Sequence, residues 1–356
     1  MTEVFESSPA ELRRPSRPWR RHAPTFNASI VLASVIPSAI AGAVWIGTSV
    51  PRPLIFVLVL LPAQLMAAAT AAWVNRGRRS IADSSLIVLA LSATIFTLVI
   101  LASLVLSLIM RGLRALSAHF LYQNSVYISP STSLEYGGIG HAMVGTLLIL
   151  TIASLIAVPI GIATALYITE VRGRAVPYVR FFVQAMSGVP SVVAGLFILT
   201  IAVATGLFSQ NAFAGGLAYA ILMLPTVART AEEVLRLVPD DLRTGALALG
   251  STRARTVFRV VLPAARTGIV TAILLGIARV IGETAPLLLA AGNSDATIIN
   301  PFGDAIASIP VFIFINVAVP YPDAVARAWG AALTLMLLVT VLFVLARLVG
   351  RRRSRR

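Results

Sequence analysis

The sequence predicts an all-α bundle of about eight membrane-spanning helices, and three observations carry that prediction. Hydrophobic residues make up 58% of the chain and charged residues only 12%, whereas soluble domains run at roughly 45–50% apolar and about 25% charged. Eight apolar runs approach or exceed the roughly 20 residues that cross a bilayer as helix; they lie near 28–48, 54–74, 86–110, 141–168, 178–206, 212–229, 267–291 and 328–349. The positive charge is also segregated. Lysine is absent, so all 29 basic residues are arginine. With the N-terminus in the cytoplasm, 24 fall in inside segments and four outside (Arg52, Arg111, Arg114, Arg327), leaving Arg279 within a span. That asymmetry is the positive-inside rule. The net charge of +15 therefore reports topology and not a nucleic-acid footprint, which would cluster on one face. Arg- and Ala-rich, lysine-free usage looks like that of a GC-rich bacterium, and the arginine count makes this a multi-pass chain with both termini cytoplasmic.

Residues 1–27, rich in Ser, Pro and Arg, lack the apolar content for a core and read as a disordered basic cytoplasmic tail. The first apolar run follows that tail and is too long for a signal-peptide core, so it is read as retained. Residues 28–74 form an N-terminal hairpin of two spans around Pro51–Pro53, and the basic link Asn75–Arg79 leads into the third span. A polar outside loop at 111–140 follows. From the fourth span onward Pro159, Gly161, Gly188, Pro190, Gly195, Pro225, Gly276, Gly282 and Pro286 lie within apolar segments. Small residues permit close helix packing in lipid, and proline there tends to open helices beside cavities. Taken singly, each is also what any transmembrane helix carries; their density reads as a mobile, cavity-lining bundle.

The stretch 230–265 is too charged for lipid, yet Ala246, Leu247, Leu249, Val257, Phe258, Val261 and Leu262 recur at helical spacing. It predicts one or two short amphipathic cytoplasmic helices. Pro239 with Asp240 and Asp241 starts one, Gly250–Ser251 breaks the pattern, and Pro263 ends it. Such a loop docks either on a partner or on the chain's own helix ends. Cysteine is absent, and His22, His119 and His141 are scattered, so no metal site is expected. No GxxxxGK[ST] loop and no nucleophile–base set occurs. The chain reads as no enzyme, with ATP and Mg bound by another chain.

Gly245, Ala246, Gly250 and the pair Leu262–Pro263 resemble the EAA loop of ABC-importer membrane subunits. The segments ARTAEEVLRLVPDDLR (228–243), LGSTRARTVFRVVLPAA (249–265), GIARVIGETAPLLLAAG (276–292), LYITEVRG (166–173), SGVPSVVAGLF (187–197) and NPFGDAIASIPVFIF (300–314) resemble the phosphate permease family PstA. The resemblance covers about 86–350. It implies a type I ABC importer permease domain with 230–265 as the loop that couples to the ATPase. It also implies a homologous permease PstC, a PstB ATPase dimer, a phosphate-binding protein PstS, and phosphate as cargo. Thr244 stands where the motif has glutamate, and Gly245 where it has alanine. That puts one cap or salt bridge in doubt, not the docking face, so Thr244, Gly245, Ala246, Gly250, Leu262 and Pro263 are the expected coupling residues. The family core has six spans, and the 28–74 hairpin is an addition to it. A permease for molybdate, sulfate or phosphonate shares this architecture, and a membrane phosphate-signalling component is a reading of a different class.

Arg279 and Glu283 are the sharpest candidates for the substrate path. From a span start near Thr267, Arg279 lies about 18 Å along the helix, near mid-bilayer, and the i, i+4 spacing places both on one face. A charge at that depth costs about 2.5–3.5 kcal/mol on insertion scales, so the pair is either functional or a structural clamp. In the functional reading Glu283 holds Arg279 until phosphate competes for the guanidinium fork. Arg229 resembles a functional arginine of the family and is placed to receive phosphate on exit, unless it only snorkels. Ser187, Ser191 and Thr284 offer hydroxyls to an oxyanion, or serve as helix glue.

Overall fold

The computed structural model describes residues 24–48, 55–76, 80–171 and 173–352. Most of the 1–27 tail, with His22, and the loop arginines Arg52, Arg78, Arg79 and Arg172 lie outside them. All regular structure among the described residues is helical. The chain divides into two compact units between Leu104 and Val105.

The first unit holds α1 (Pro24–Gly47), which begins inside the segment read as tail, and α2 (Leu61–Arg76), entered through a π-helical turn at Phe56–Leu60. It ends within α3 (Ser80–Gly112). Helices α1 and α2 pack against each other, and Phe56 stacks on Phe96 with ring centroids 5.3 Å apart. Their apolar stretches among the described residues include Val35–Gly47 and Leu58–Val74.

Five helices among the described residues are long and apolar enough to cross: Ile81–Gly112, Gly140–Val171, Ala212–Arg236, Arg253–Val280 and Pro322–Leu348. A sixth candidate is a bent pair, so five or six of the eight expected spans meet that test of length and composition among the described residues.

The second unit continues through α4 (Ala118–Tyr122), α5 (Gly140–Leu166, ending in a π turn Tyr167–Val171), α6 (Val176–Ser187) and α7 (Ser191–Ile198, ending in a π turn Leu199–Val203). Then come α8 (Ala212–Arg236), α9 (Asp240–Ala248), α10 (Arg253–Thr256), a π turn Val257–Val261 and α11 (Leu262–Val280). Helices α12 (Ala285–Ala290), α13 (Ile309–Val317) and α14 (Pro322–Arg352) complete it.

Helix α8 is the axis of this unit. Tyr219, Met223 and Val227 are fully buried in a core shared with Ile149 of α5 and Leu287 of α12. Glycines let the neighbours approach. A Cβ on Gly216 would lie 2.5 Å from Ile152, and one on Gly161 would lie 2.9 Å from Val227, so α5 runs parallel to α8. A Cβ on Gly268 would lie 2.3 Å from Val234 and one on Gly276 2.5 Å from Val227, so α11 runs antiparallel to it.

The expected prolines divide. Pro159 and Pro225 lie inside unbroken α5 and α8. The single span expected at 178–206 is instead broken at Gly188–Pro190, where α6 and α7 meet at 101°. The span expected at 267–291 ends at Val280 and restarts at Ala285. Pro263 does not stop its helix. It sits at the second position of α11, directly after the π turn, where a shifted hydrogen-bond register leaves little for its missing N–H to disrupt.

Candidate functional site

Arg279 lies in the last turn of α11, where the unpaired carbonyl ends of the helix favour a cation. Glu283 lies beyond the helix, in the turn before α12. The ion pair expected along a continuous helix therefore forms across a break: Arg279 Nη1 donates to Glu283 Oε1. Two contacts fix that turn. The Glu283 amide donates to the Val280 carbonyl at 2.9 Å, and the Tyr219 hydroxyl donates to the Glu283 carbonyl at 2.7 Å. Tyr219 is buried on α8, so the central helix holds the backbone that presents the carboxylate. The Arg279 side chain is 46% exposed and that of Glu283 23%; this chain alone does not enclose the pair.

The hydroxyls divide. Ser187 spends its Oγ on the Val183 carbonyl at 3.0 Å, whereas Ser191 and Thr284 open α7 and α12. These helices lie side by side and parallel: a Cβ on Gly195 would come within 2.6 Å of the Pro286 Cα, and Ile198 clusters with Ala290. Ser191 and Thr284 thus lie at the adjoining N-terminal ends of these two helices, on the side of the α11–α12 turn. Arg229 does not. It lies ten residues beyond Tyr219 on α8, about 15 Å toward the C-terminal end, and makes no ion pair among the described residues. The predicted path residues thus fall at two stations, one at the α11–α12 turn held by Tyr219 and the other at Arg229, further along α8.

The loop read as the coupling segment folds as expected at its centre. Asp240 and Asp241 occupy the first turn of α9. Gly250, at φ +79°, closes it: Ser251 N–H donates to the Ala246 carbonyl at 3.1 Å and Gly250 N–H to Leu247 at 2.9 Å. That pair of bonds is a Schellman cap, which requires a left-handed residue. No residue of α9 is buried, and Leu247, Leu249 and Phe258 are exposed while Val261 is buried. Thr244 Oγ1 bonds only within its own helix, to the Asp240 carbonyl at 3.2 Å, and a Cβ on Gly245 would meet open space.

What fastens α9 is Arg243, which the sequence did not single out. Its guanidinium donates to Glu170 at 2.9 Å, to Asp240 at 3.0 Å, and to the carbonyls of Leu235 and Val238 at 2.8 and 2.6 Å. Its hydrogen bond to Glu170 raises its pKa above the usual arginine value despite desolvation. Both charged groups are largely buried, 14% and 11% exposed. Tyr219 was also missed; its one signal is a phenol in the otherwise apolar run AFAGGLAYAILML.

The sequence family described as the binding-protein-dependent transport system inner membrane component matches residues 157–355. The phosphate transport system permease protein PstA 1 of Mycobacterium tuberculosis is 45% identical over 223 residues, 62% of this chain and 72% of that one. PstA of Pasteurella multocida is 34% identical over 279 residues, 78% of this chain and 97% of its own. Among solved structures, the inward-facing MetNI methionine ABC transporter superposes with a TM-score of 0.45 at 17% identity, over 61% of this chain and 93% of that chain. The relatives share most of their length with this chain, and the chain belongs to the PstA family of phosphate transport system permeases, inner-membrane components of binding-protein-dependent transport.

Proposed function

We propose that this chain forms half of the translocation path of an ATP-driven phosphate importer in the bacterial plasma membrane, with both termini cytoplasmic. The observation that carries the reading is the Arg279–Glu283 pair at the α11–α12 break, clamped by Tyr219. A guanidinium held by a carboxylate is kept in place until a competing anion takes the fork. Hydrogen phosphate also carries a proton that Glu283 can accept, which sulfate at neutral pH does not. Ser191 and Thr284 stand beside the pair to donate hydrogen bonds. The half-exposed Arg279 fits a path completed by a homologous permease, PstC.

A PstB ATPase dimer, which binds ATP and Mg, docks on the exposed face of α9, and its motion passes through Arg243 into α5 and α8. Thr244, Gly245, Ala246 and Gly250 shape that face, while Leu262 and Pro263 join it to α11. PstS delivers phosphate from outside. The α1–α2 hairpin is an addition to the family's six-span core.

Radiolabelled phosphate uptake in cells lacking this chain, complemented with wild type or Arg279→Ala, tests the reading, with assembly followed by co-purification. Uptake falls to background while the complex stays intact. Normal uptake by Arg279→Ala removes Arg279 from the path, and competition by molybdate or sulfate equal to that by phosphate overturns the choice of cargo.

A further inference from the structure

The end of α8 carries a second basic site. Spacings of three, four and seven residues put Arg229, Glu232, Glu233 and Arg236 on one helical face. With Arg180 and Gln184 of α6 they line a cleft of about 290 Å³. One carboxylate oxygen organises it: Glu232 Oε1 accepts from Arg180 Nη2 at 3.0 Å and from Arg236 Nη2 at 2.7 Å. The Glu232 side chain is only 12% exposed, while those of Arg180 and Arg236 are 47% and 56% exposed. Each guanidinium has five N–H donors and commits one here, so both retain donors for a ligand. An adjoining cleft shares Arg180 and Arg236 but contains Arg243, whose donors are already taken by Glu170, Asp240 and two carbonyls.

We propose that this cleft is a cytoplasm-facing phosphate site in which Arg180, Arg229 and Arg236 share one oxyanion, with Glu232 holding Arg180 and Arg236 while the site is empty. The proposal rests on the phosphate-import reading and deepens it. Three guanidiniums against two carboxylates leave an excess positive charge, and the planar forks suit a tetrahedral oxyanion. Glu232 repeats at this end of α8 what Glu283 does beside Tyr219, about 20 Å back along the helix: it is an internal competitor that keeps the anion from binding too tightly to leave. A lipid phosphate group carries the same chemistry, and the source assigned here is free inorganic phosphate.

Equilibrium binding of radiolabelled inorganic phosphate to the complete nucleotide-free transporter tests this, in nanodiscs of phosphatidylcholine and in an Arg279→Gln background that removes the other station. Glu232→Gln is expected to tighten binding about tenfold, and Arg180→Gln or Arg236→Gln to weaken it about tenfold, the scale of one charge-assisted hydrogen bond. Arg180→Lys, which keeps charge without the fork and tolerates the fold, weakens it less. Binding indifferent to all four substitutions overturns the proposal. So does loss of phosphate binding when phosphatidylglycerol is added to the nanodisc, since a headgroup then owns the cleft. Wild-type uptake separates the two failures: phosphate uptake with insensitive binding sinks only the cleft, whereas no uptake of phosphate by the wild-type complex sinks the import reading.

Discussion

Helices α3 and α8 are both long enough to cross a bilayer, yet the apolar window of α3 is 0% buried within the chain and that of α8 is 67% buried. Their sequences differ accordingly. Helix α3 turns Leu86, Leu91, Leu98 and Leu106 outward and carries bulky aliphatics around its circumference. Helix α8 is less apolar and richer in small residues, with Ala212, Ala214, Gly215, Gly216, Ala218 and Ala220 buried. In lipid no hydrophobic gain comes from helix meeting helix, so association rests on close packing and interhelical hydrogen bonds. Within a membrane the most buried helix is thus the one that looks least greasy.

Three substitutions probe that difference, from the largest effect to the smallest. Gly216→Val places a branched side chain where a Cβ alone would lie 2.5 Å from Ile152. We expect loss of folded complex, a destabilisation of at least about 3 kcal/mol, read as absence of co-purifying partners. Full assembly would mean that α5 and α8 separate freely. Tyr219→Phe keeps the ring but orphans the Glu283 carbonyl, which costs about 1–3 kcal/mol and lowers uptake more than assembly. Unaltered uptake would show that the α11–α12 turn holds itself. Leu98→Ile on α3 exchanges one lipid-facing aliphatic for another and is expected to shift thermal stability in detergent by less than about 0.5 kcal/mol. A larger shift would reveal that α3 is covered by another protein.

The same contrast explains what the sequence disclosed. Hydropathy located the long helices directly, because lipid selects composition residue by residue. Arg279 and Glu283 stood out because ionisable groups in an apolar run are rare. The breaks did not separate from the background: Pro159 and Pro225 sit in intact helices while Gly188–Pro190 marks a bend of 101°. A proline interrupts a helix only when its neighbours cannot absorb the lost bond, and that depends on packing. Pairings such as Arg180–Glu232 and Arg243–Glu170 join residues 52 and 73 positions apart. No local pattern encodes them, since they exist only once α6 meets α8 and α9 meets the end of α5. The Schellman glycine, Gly250, was visible as a break because its geometry is local.

The fastening of α9 has a mechanical consequence. A short helix with no buried residue of its own would swivel on its linkers and dissipate any push as slack. Arg243 removes the slack by bonding at once to the π turn that ends α5, to the Leu235 carbonyl in the last turn of α8 and to the Val238 carbonyl just beyond it. Force applied at α9 is thereby divided between two parallel rods and loads them in the same direction, as a crossbar loads two pistons.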